Sequence, residues 1–381
     1  MQAPLRVGLN LIFLGERAGG AGRYARELPG ALLEVEPATE IELFLSRDAP
    51  AGLREEPWAK DVRLTTLPIR LSGPPMHVPA EYLALPALAA ARGLDVLHSP
   101  ANTGPTRTPR VASVVSLLDL IWLHRPEEWE ASPHVHRTMR RRVSRAVAGA
   151  DRIFAISQAA CEDIQDTLGV PRERIEVTPL GTRIADVAPM APQELRAWLD
   201  LGDARVVLCL AQKRPYKNLR CLVGALPALD PDVVLVLPGS PTPYERELRD
   251  YARELGVIDR LRFPEWLSDE QVEGAYACAE VFVLPSLIEG FGLPVVEAML
   301  RGVPVACSNI PALAEVAGDA ALMFDPHRQE EVTAAIARLL DDRSLARTLA
   351  ERGRARAAAF TWRRTAEATL EGYRRAIASR V

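Results

Sequence analysis

Residues 284–309, LPSLIEGFGLPVVEAMLRGVPVACSN, constrain the fold more than any other stretch, because they spell loop, helix and strand directly behind a strand. Val281 to Leu284 is a short apolar run rich in β-branched side chains. Glu289-Gly290-Phe291-Gly292 is a loop whose two glycines let backbone approach a ligand closely. Pro294 suits the first turn of a helix, Val295, Val296, Met299 and Leu300 form its inward side, and Gly302 ends it before an apolar strand from Val303 to Ala306. Units of this kind, repeated along a chain, build parallel sheets covered by helices.

A helix that opens out of a glycine-containing loop leaves N–H groups unpaired, and its dipole places about half a positive charge there, a ready phosphate site. Two carboxylates stand beside it: Glu289 in the loop and Glu297 in the first turn or so of the helix. Side chains tilt toward a helix's N-terminus, so Glu297 leans toward the mouth that Glu289 lines. A carboxylate accepts hydrogen bonds from two adjacent hydroxyls, and ribose and hexose diols are natural targets. An anion cradle with two diol receptors is what a nucleotide-diphosphate sugar requires. Taken singly, Glu297 would only complement the helix dipole and Glu289 would be a solvated loop residue; the ordered pattern favours a site.

Residues 284–326 resemble the Glu-x7-Glu signature of glycosyltransferase family 4, retaining enzymes of the GT-B fold that use nucleotide-sugar donors. The resemblance implies an α/β chain of two Rossmann-like, doubly wound parallel-sheet domains facing across a cleft. It implies that Glu297 holds the donor ribose, that Glu289 faces the transferred sugar, and that the backbone of Gly290, Phe291, Gly292 and Leu293 meets sugar and phosphates.

The length of 381 residues suggests two domains. A net charge of −4 argues against a general nucleic-acid partner. Lysine occurs only at Lys60, Lys213 and Lys217, which makes the last two conspicuous in an arginine-rich chain. Cys161, Cys209, Cys221, Cys278 and Cys307 are odd in number, widely spaced and mostly in apolar runs, so reduced core thiols are expected. No clustered Cys or His suggests zinc, no apolar run is long enough to span a bilayer, and the opening lacks the pattern of a signal peptide. A cytoplasmic protein without metal or other cofactor is expected.

In the first half, an apolar strand from Leu5 to Phe13 leads through Gly15–Gly22 into a helix from Arg23 to Leu33. Gly20-Ala21-Gly22 followed by Ala25 also satisfies a G-x-G-x-x-A dinucleotide fingerprint, so an NAD-dependent oxidoreductase is a competing reading. Against it, these glycines trail the strand by several residues. The family resemblance instead sets Gly20, Ala21 and Gly22 near the donor diphosphate and acceptor. Residues 69–79 read as a loop and 80–91 as a helix. His98 and Asn102 follow a strand's carboxyl end and are candidate acceptor contacts, with a buried, satisfied histidine the alternative for His98. Asp119 ends the next strand. Many relatives carry His-Asp there, the His contacting the transferred sugar; this chain has Leu118-Asp119, so either His98, His124 or backbone takes over that contact or the sugar hydroxyl it serves is handled differently. The departure leaves a second alternative, a nucleotide-sugar-binding module with weak or no catalysis. The stripe Val135, Met139, Val143 and Ala146 is flanked by Arg137, Arg140, Arg141, Arg142 and Arg145, a solvated basic face or, alternatively, a peripheral contact through residues 136–145 with an anionic membrane or a phosphate-bearing acceptor.

Residues 181–193 read as the linker, dividing an acceptor-side domain, 1–183, from a donor domain, 184–361, with the helix 362–381 packing back on the first by resemblance. Lys213, Arg214 and Lys217, three cations within five positions after an apolar strand, suggest a phosphate clamp, with a solvated basic turn the plainer reading. Lys217 matches the family's Lys, while Gln212 occupies its usual Arg position, for which Arg214 or Lys213 would compensate. By resemblance the turns at Gly239 and Leu267 flank the nucleobase. Asp230-Pro231-Asp232 has the D-x-D spelling of metal-dependent transferases but precedes a strand, as a turn would.

Together these readings describe a glycosyltransferase moving a hexose, with mannose or a deoxyhexose suggested by general similarity, from a nucleotide diphosphate to a carbohydrate, lipid-linked or small-molecule hydroxyl. Glu289, Lys217 and Asp119 are the catalytic candidates.

Overall fold

The computed structural model describes residues 4–15, 19–70, 80–106, 108–128 and 133–380. The chain divides into two compact units, Met1–Gly181 with Thr361–Val381, and Thr182–Phe360.

The first unit is built on seven parallel strands: β1 (Arg6–Leu11), β2 (Glu40–Leu45), β3 (Arg63–Thr66), β4 (Val96–Ser99), β5 (Ala112–Leu117), β6 (Arg152–Ala155) and β7 (Ile175–Val177). Their order is β3-β2-β1-β4-β5-β6-β7, with Leu9 paired to His98 and His98 to Val114 in the centre. Covered on both faces, the central strands β1, β4 and β5 are buried along nearly their whole length rather than alternating, with Val7, Leu9, Val114 and Ser116 fully buried. The first helix runs Gly19–Val35, so the Gly20-Ala21-Gly22 triplet is its opening turn rather than a loop before it. Residues 16–18 of the elbow and 71–79 of the proline-rich loop lie outside the described residues. The terminal helix Trp362–Ala378 packs on Gly19–Val35 and over β4, β5 and β6.

That contact is aromatic. Trp362 stacks on Tyr24 at 6.4 Å and Tyr373 on Phe154 at 5.8 Å. His98 sits among them, wholly buried, with Nδ1 2.7 Å from the Tyr373 hydroxyl and Nε2 2.7 Å from Ser116 Oγ. It is therefore the satisfied core histidine and not an acceptor contact: the side chain faces the terminal helix, whose partner residue lies 275 positions away. Burial holds its pKa at about 3 against an ordinary 6.5. The unfolded chain takes up a proton below pH 6.5 that the folded chain refuses, so this histidine drains stability as pH falls from 6.5 toward 3. Urea titrations should show a slope approaching about 1.4 kcal/mol per pH unit from this group, and His98→Gln should flatten it.

The second unit has six parallel strands: β8 (Arg205–Leu208), β9 (Val233–Val236), β10 (Leu261–Arg262), β11 (Val281–Leu284), β12 (Val305–Ser308) and β13 (Leu322–Phe324). The order β10-β9-β8-β11-β12-β13 reverses between β8 and β11, the place where open α/β sheets leave a crevice at their carboxyl ends. The helix Leu293–Leu300 follows β11 and packs on β11, β12 and the helices Pro311–Ala317 and Arg343–Ala357. The segment read as linker becomes helical at Pro192–Trp198, which packs on the helix Asp269–Cys278. The helix Pro243–Glu254 and β13 complete the unit and were not anticipated.

Candidate functional site

The turn after β8 and the loop after β11 meet at the switch point. Pro215–Lys217 forms a single 3-10 turn, closed by Asn218 in the left-handed region at φ 54°. The carbonyl of Tyr216 accepts the Leu287 N–H at 2.8 Å, tying that turn to the β11 loop. Lys217 Nζ thereby lies 2.6 Å from Glu289 Oε1, which also accepts the Ser286 hydroxyl at 2.7 Å. With side chains 14% and 9% exposed, the two charges form a part-buried pair rather than a solvated turn. The tyrosine ring lies beside the ammonium, 5.1 Å from its centroid.

Three residues beyond Glu289, Gly292 starts the helix Leu293–Leu300 with φ 103° and no side-chain cap. Pro294 fills an early position and has no N–H to lose. Phe291 is buried edge-on against Phe360 at 5.6 Å, so this loop offers backbone, not ring, to its surroundings. A Cβ on Gly292 would stand 2.4 Å from Leu313 Cδ2, and its φ disfavours L side chains. Gly292→Ala should therefore destabilise the unit by about 1–3 kcal/mol, read by urea denaturation, and displace the loop.

Glu297 is the fifth residue of this helix, one turn deeper than its opening, and is 7% exposed. Its Oε2 accepts the Tyr276 hydroxyl at 3.1 Å. Gly239, at φ 141°, donates its N–H to Glu265 O at 2.8 Å and Pro264 O at 3.1 Å, which brings the turns after β9 and β10 side by side. Leu267 is buried at 7%, leaving exposed Trp266 as the large side chain on the surface there.

The clamp of three cations is corrected at Lys213. Its side chain is wholly buried, with Nζ 2.8 Å from Glu245 Oε2 and 2.7 Å from Gly239 O. Burial pulls its ammonium pKa down while Glu245 opposes that shift. Lys213 thus braces the Gly239 turn and is no phosphate partner; Arg214 is half-buried at the start of the 3-10 turn.

In the first unit Asn102, at φ 45°, follows β4, and its Oδ1 accepts the Leu118 N–H at 2.8 Å. Asp119 Oδ1 accepts the Ile121 N–H at 3.1 Å. The backbone at Leu118-Asp119 is thus fixed from both sides. His124 Nε2 lies 2.7 Å from Asp163 Oδ1, half-exposed. Two buried clusters escaped sequence reading. One is Glu81, held by Arg142 at 2.5 Å and Thr103 at 3.1 Å beside Asn10 at 3.4 Å, near the ends of β1 and β4. The other is the Tyr276 contact to Glu297, since a tyrosine within a helix reads only as core. On the basic helix Pro133–Gly149, Val143 and Ala146 are buried, but Val135 is 52% exposed, so the inward stripe is shorter than expected.

Among the described residues no group of three or more His, Cys, Asp or Glu could hold a metal ion, and no helix is long and apolar enough to cross a membrane. Asp230 and Asp232 precede β9 at the opposite end of the sheet from Gly239, and Val233 N–H closes the turn on Asp230 O at 3.0 Å.

Tandem Rossmann-like units, each with the reversed strand order, define the GT-B class of fold. Residues 18–185 match the family model described as Glycosyltransferase Family 4, and residues 193–356 that of Glycosyl transferases group 1. The chain is 30% identical to the MMP alpha-(1->4)-mannosyltransferase of Mycolicibacterium hassiacum, covering 94% of this chain and 95% of that one. It is 29% identical to O-antigen chain mannosyltransferase B of Escherichia coli, covering 93% and 96%. Among solved structures, sucrose-phosphate synthase from Thermosynechococcus elongatus superposes with a TM-score of 0.77 at 23% identity, covering 98% and 100% of the two chains. Anabaena HepE in complex with UDP and glucose follows at 0.75 and 20%, covering 96% and 98%. The chain belongs to the family 4 glycosyltransferases, and it is a glycosyltransferase.

Proposed function

We propose that the chain moves a hexosyl group, mannosyl by similarity to the mannosyltransferases of Mycolicibacterium hassiacum and Escherichia coli, from a nucleotide diphosphate to an acceptor hydroxyl with retention at the anomeric carbon. The observation that carries this reading is the Lys217–Glu289 pair beside the uncapped tip of Leu293–Leu300, with Glu297 on the same helix. The donor diphosphate lies along the backbone of residues 290–293 and Lys217, its ribose on Glu297, its sugar against Glu289, and its base by Gly239 and the backbone around Leu267. As the bond from C1 to the phosphate oxygen breaks, negative charge grows on the leaving diphosphate, and helix dipole, Lys217 and Arg214 stabilise it. The acceptor oxygen bonds to C1, and its proton passes to the departing phosphate oxygen, so no divalent metal is required. Because Glu289 accepts from Lys217 at 2.6 Å, bound phosphate competes with it for the ammonium, leaving the carboxylate to orient sugar hydroxyls.

Gly20, Ala21 and Gly22, as the opening turn of a helix, serve the donor or acceptor from the first unit. Acceptor contacts there fall to Asn102, His124 and the fixed backbone at Leu118-Asp119, with Asp119 acting through that backbone. Exposed Arg137, Arg140, Arg141 and Arg145 suit an anionic acceptor or membrane surface.

A thermal-shift screen of UDP, GDP, ADP and dTDP, then of their sugars with detection of released diphosphate, tests this. One diphosphate should stabilise the protein, and its hexose conjugate should release diphosphate when acceptor is supplied. Stabilisation by none of the four would overturn the reading. Binding without release would instead favour a module that holds nucleotide sugars, the outcome that Leu118 in place of histidine suggests.

A further inference from the structure

Behind Glu297 lies a buried cluster to which the transfer reading assigns no role. Tyr276 projects from the helix Asp269–Cys278, is 1% exposed, and donates its phenol to Glu297 Oε2 at 3.1 Å, with Pro294 O at 3.5 Å. Arg301, one turn beyond Glu297, donates Nη1 to the Glu297 carbonyl at 2.9 Å and sets its guanidinium 4.7 Å from the centre of the Tyr276 ring. The same guanidinium grips both oxygens of Glu273, through Nε at 2.7 Å and through Nη2, with the two side chains 9% and 8% exposed. Glu273 Oε1 also accepts the Ala185 N–H at 3.0 Å.

Each contact restricts the next. The Glu273 carboxylate neutralises and orients Arg301 in a bidentate pair, which fixes it more tightly than a point charge would. The guanidinium in turn lies on the tyrosine face, a favourable cation–π contact that holds the ring. The held ring aims its O–H at one oxygen of Glu297. An ionised carboxylate has about four acceptor directions, so one phenol on Oε2 fixes the plane of the group without exhausting what it accepts.

We propose that Tyr276, held by the Arg301–Glu273 pair, is a positioning residue that orients the Glu297 carboxylate toward the two ribose hydroxyls of the donor, and so sets nucleotide affinity. The proposal rests on the reading of Glu297 as ribose receptor, and its test separates the two.

Calorimetric titration of the full chain with UDP, GDP and ADP, and with the 2′,3′-dideoxy counterpart of whichever binds most tightly, supplies that test. Tyr276→Phe keeps the ring and its packing and removes only the O–H. It should weaken binding of the ribose form about five- to tenfold, the usual net worth of one hydrogen bond, and leave binding of the dideoxy form unchanged. A residue that merely stabilises the fold would weaken both alike, and that result overturns the proposal, as does equal binding of the ribose form by variant and wild type. Glu297→Ala is the control: discrimination between ribose and dideoxy forms should shrink. If it discriminates as wild type does, the ribose reading falls and takes the proposal with it. If Glu297→Ala loses discrimination while Tyr276→Phe keeps it in full, the reading stands and the positioning role is wrong. Failure of the wild type to bind any of the three diphosphates overturns the proposal, and failure with dTDP as well overturns the ribose reading too.

Discussion

Lys217→Ala should lower kcat by about 10²- to 10³-fold, the loss seen when one preorganised donor to a developing oxyanion is removed. Donor KM should change far less, because in the proposed mechanism the ammonium would meet a diphosphate whose charge rises only as the glycosidic bond lengthens. The geometry sharpens the expectation. In a setting where its side chain is 14% exposed, the lysine already faces a carboxylate at 2.6 Å, so its charge acts at low screening and in a fixed place. Lys217→Arg should recover part of the loss, since it restores charge without the same reach. Steady-state kinetics with the donor found by nucleotide screening decide the matter: an unchanged kcat for Lys217→Ala would remove the residue from the mechanism.

Glu297→Ala should act on the other parameter. Two hydrogen bonds from ribose hydroxyls to an ionised carboxylate contribute about 1.5–3 kcal/mol each, so donor KM should rise on the order of 10²-fold or more. The turnover number should fall less, because the ribose lies away from the bond that breaks. The variant also removes the nearer acceptor of the buried Tyr276 phenol, at 3.1 Å, with Pro294 O remaining at 3.5 Å, and a stability loss of about 0.5–1.5 kcal/mol should accompany the kinetic one. Glu297→Gln keeps an acceptor for the phenol and should be nearly as stable as wild type while binding donor weakly. Wild-type KM in Glu297→Ala would show that the ribose is held elsewhere.

What sequence made legible was local. The strand β11, the loop Glu289–Gly292 and the proline-started helix were written in contiguous residues. The family resemblance, carried by the same stretch, extended this to the presence of two Rossmann-like units. The features that escaped depend on partners far along the chain. Lys213 and Lys217 look alike in sequence, yet one turns inward to Glu245, on the unread helix Pro243–Glu254, and the other outward to Glu289. That helix buries little beyond Glu245, Leu248 and Ala252, too narrow a stripe to announce itself among charged neighbours. His98 had two open readings, and only the docking of Tyr373 decides between them. β13 is three residues long, below what a hydrophobic run can signal.

The reach of Glu289 and Lys217 into one site is the claim on which the rest stands. A crystal structure of the protein with the nucleoside diphosphate selected by thermal shift tests it most directly. Phosphate oxygens are expected on the backbone N–H groups of residues 290–293 and on Lys217 Nζ, with the ribose hydroxyls on Glu297. A diphosphate seated away from the opening of Leu293–Leu300, with Lys217 still on Glu289, would contradict it.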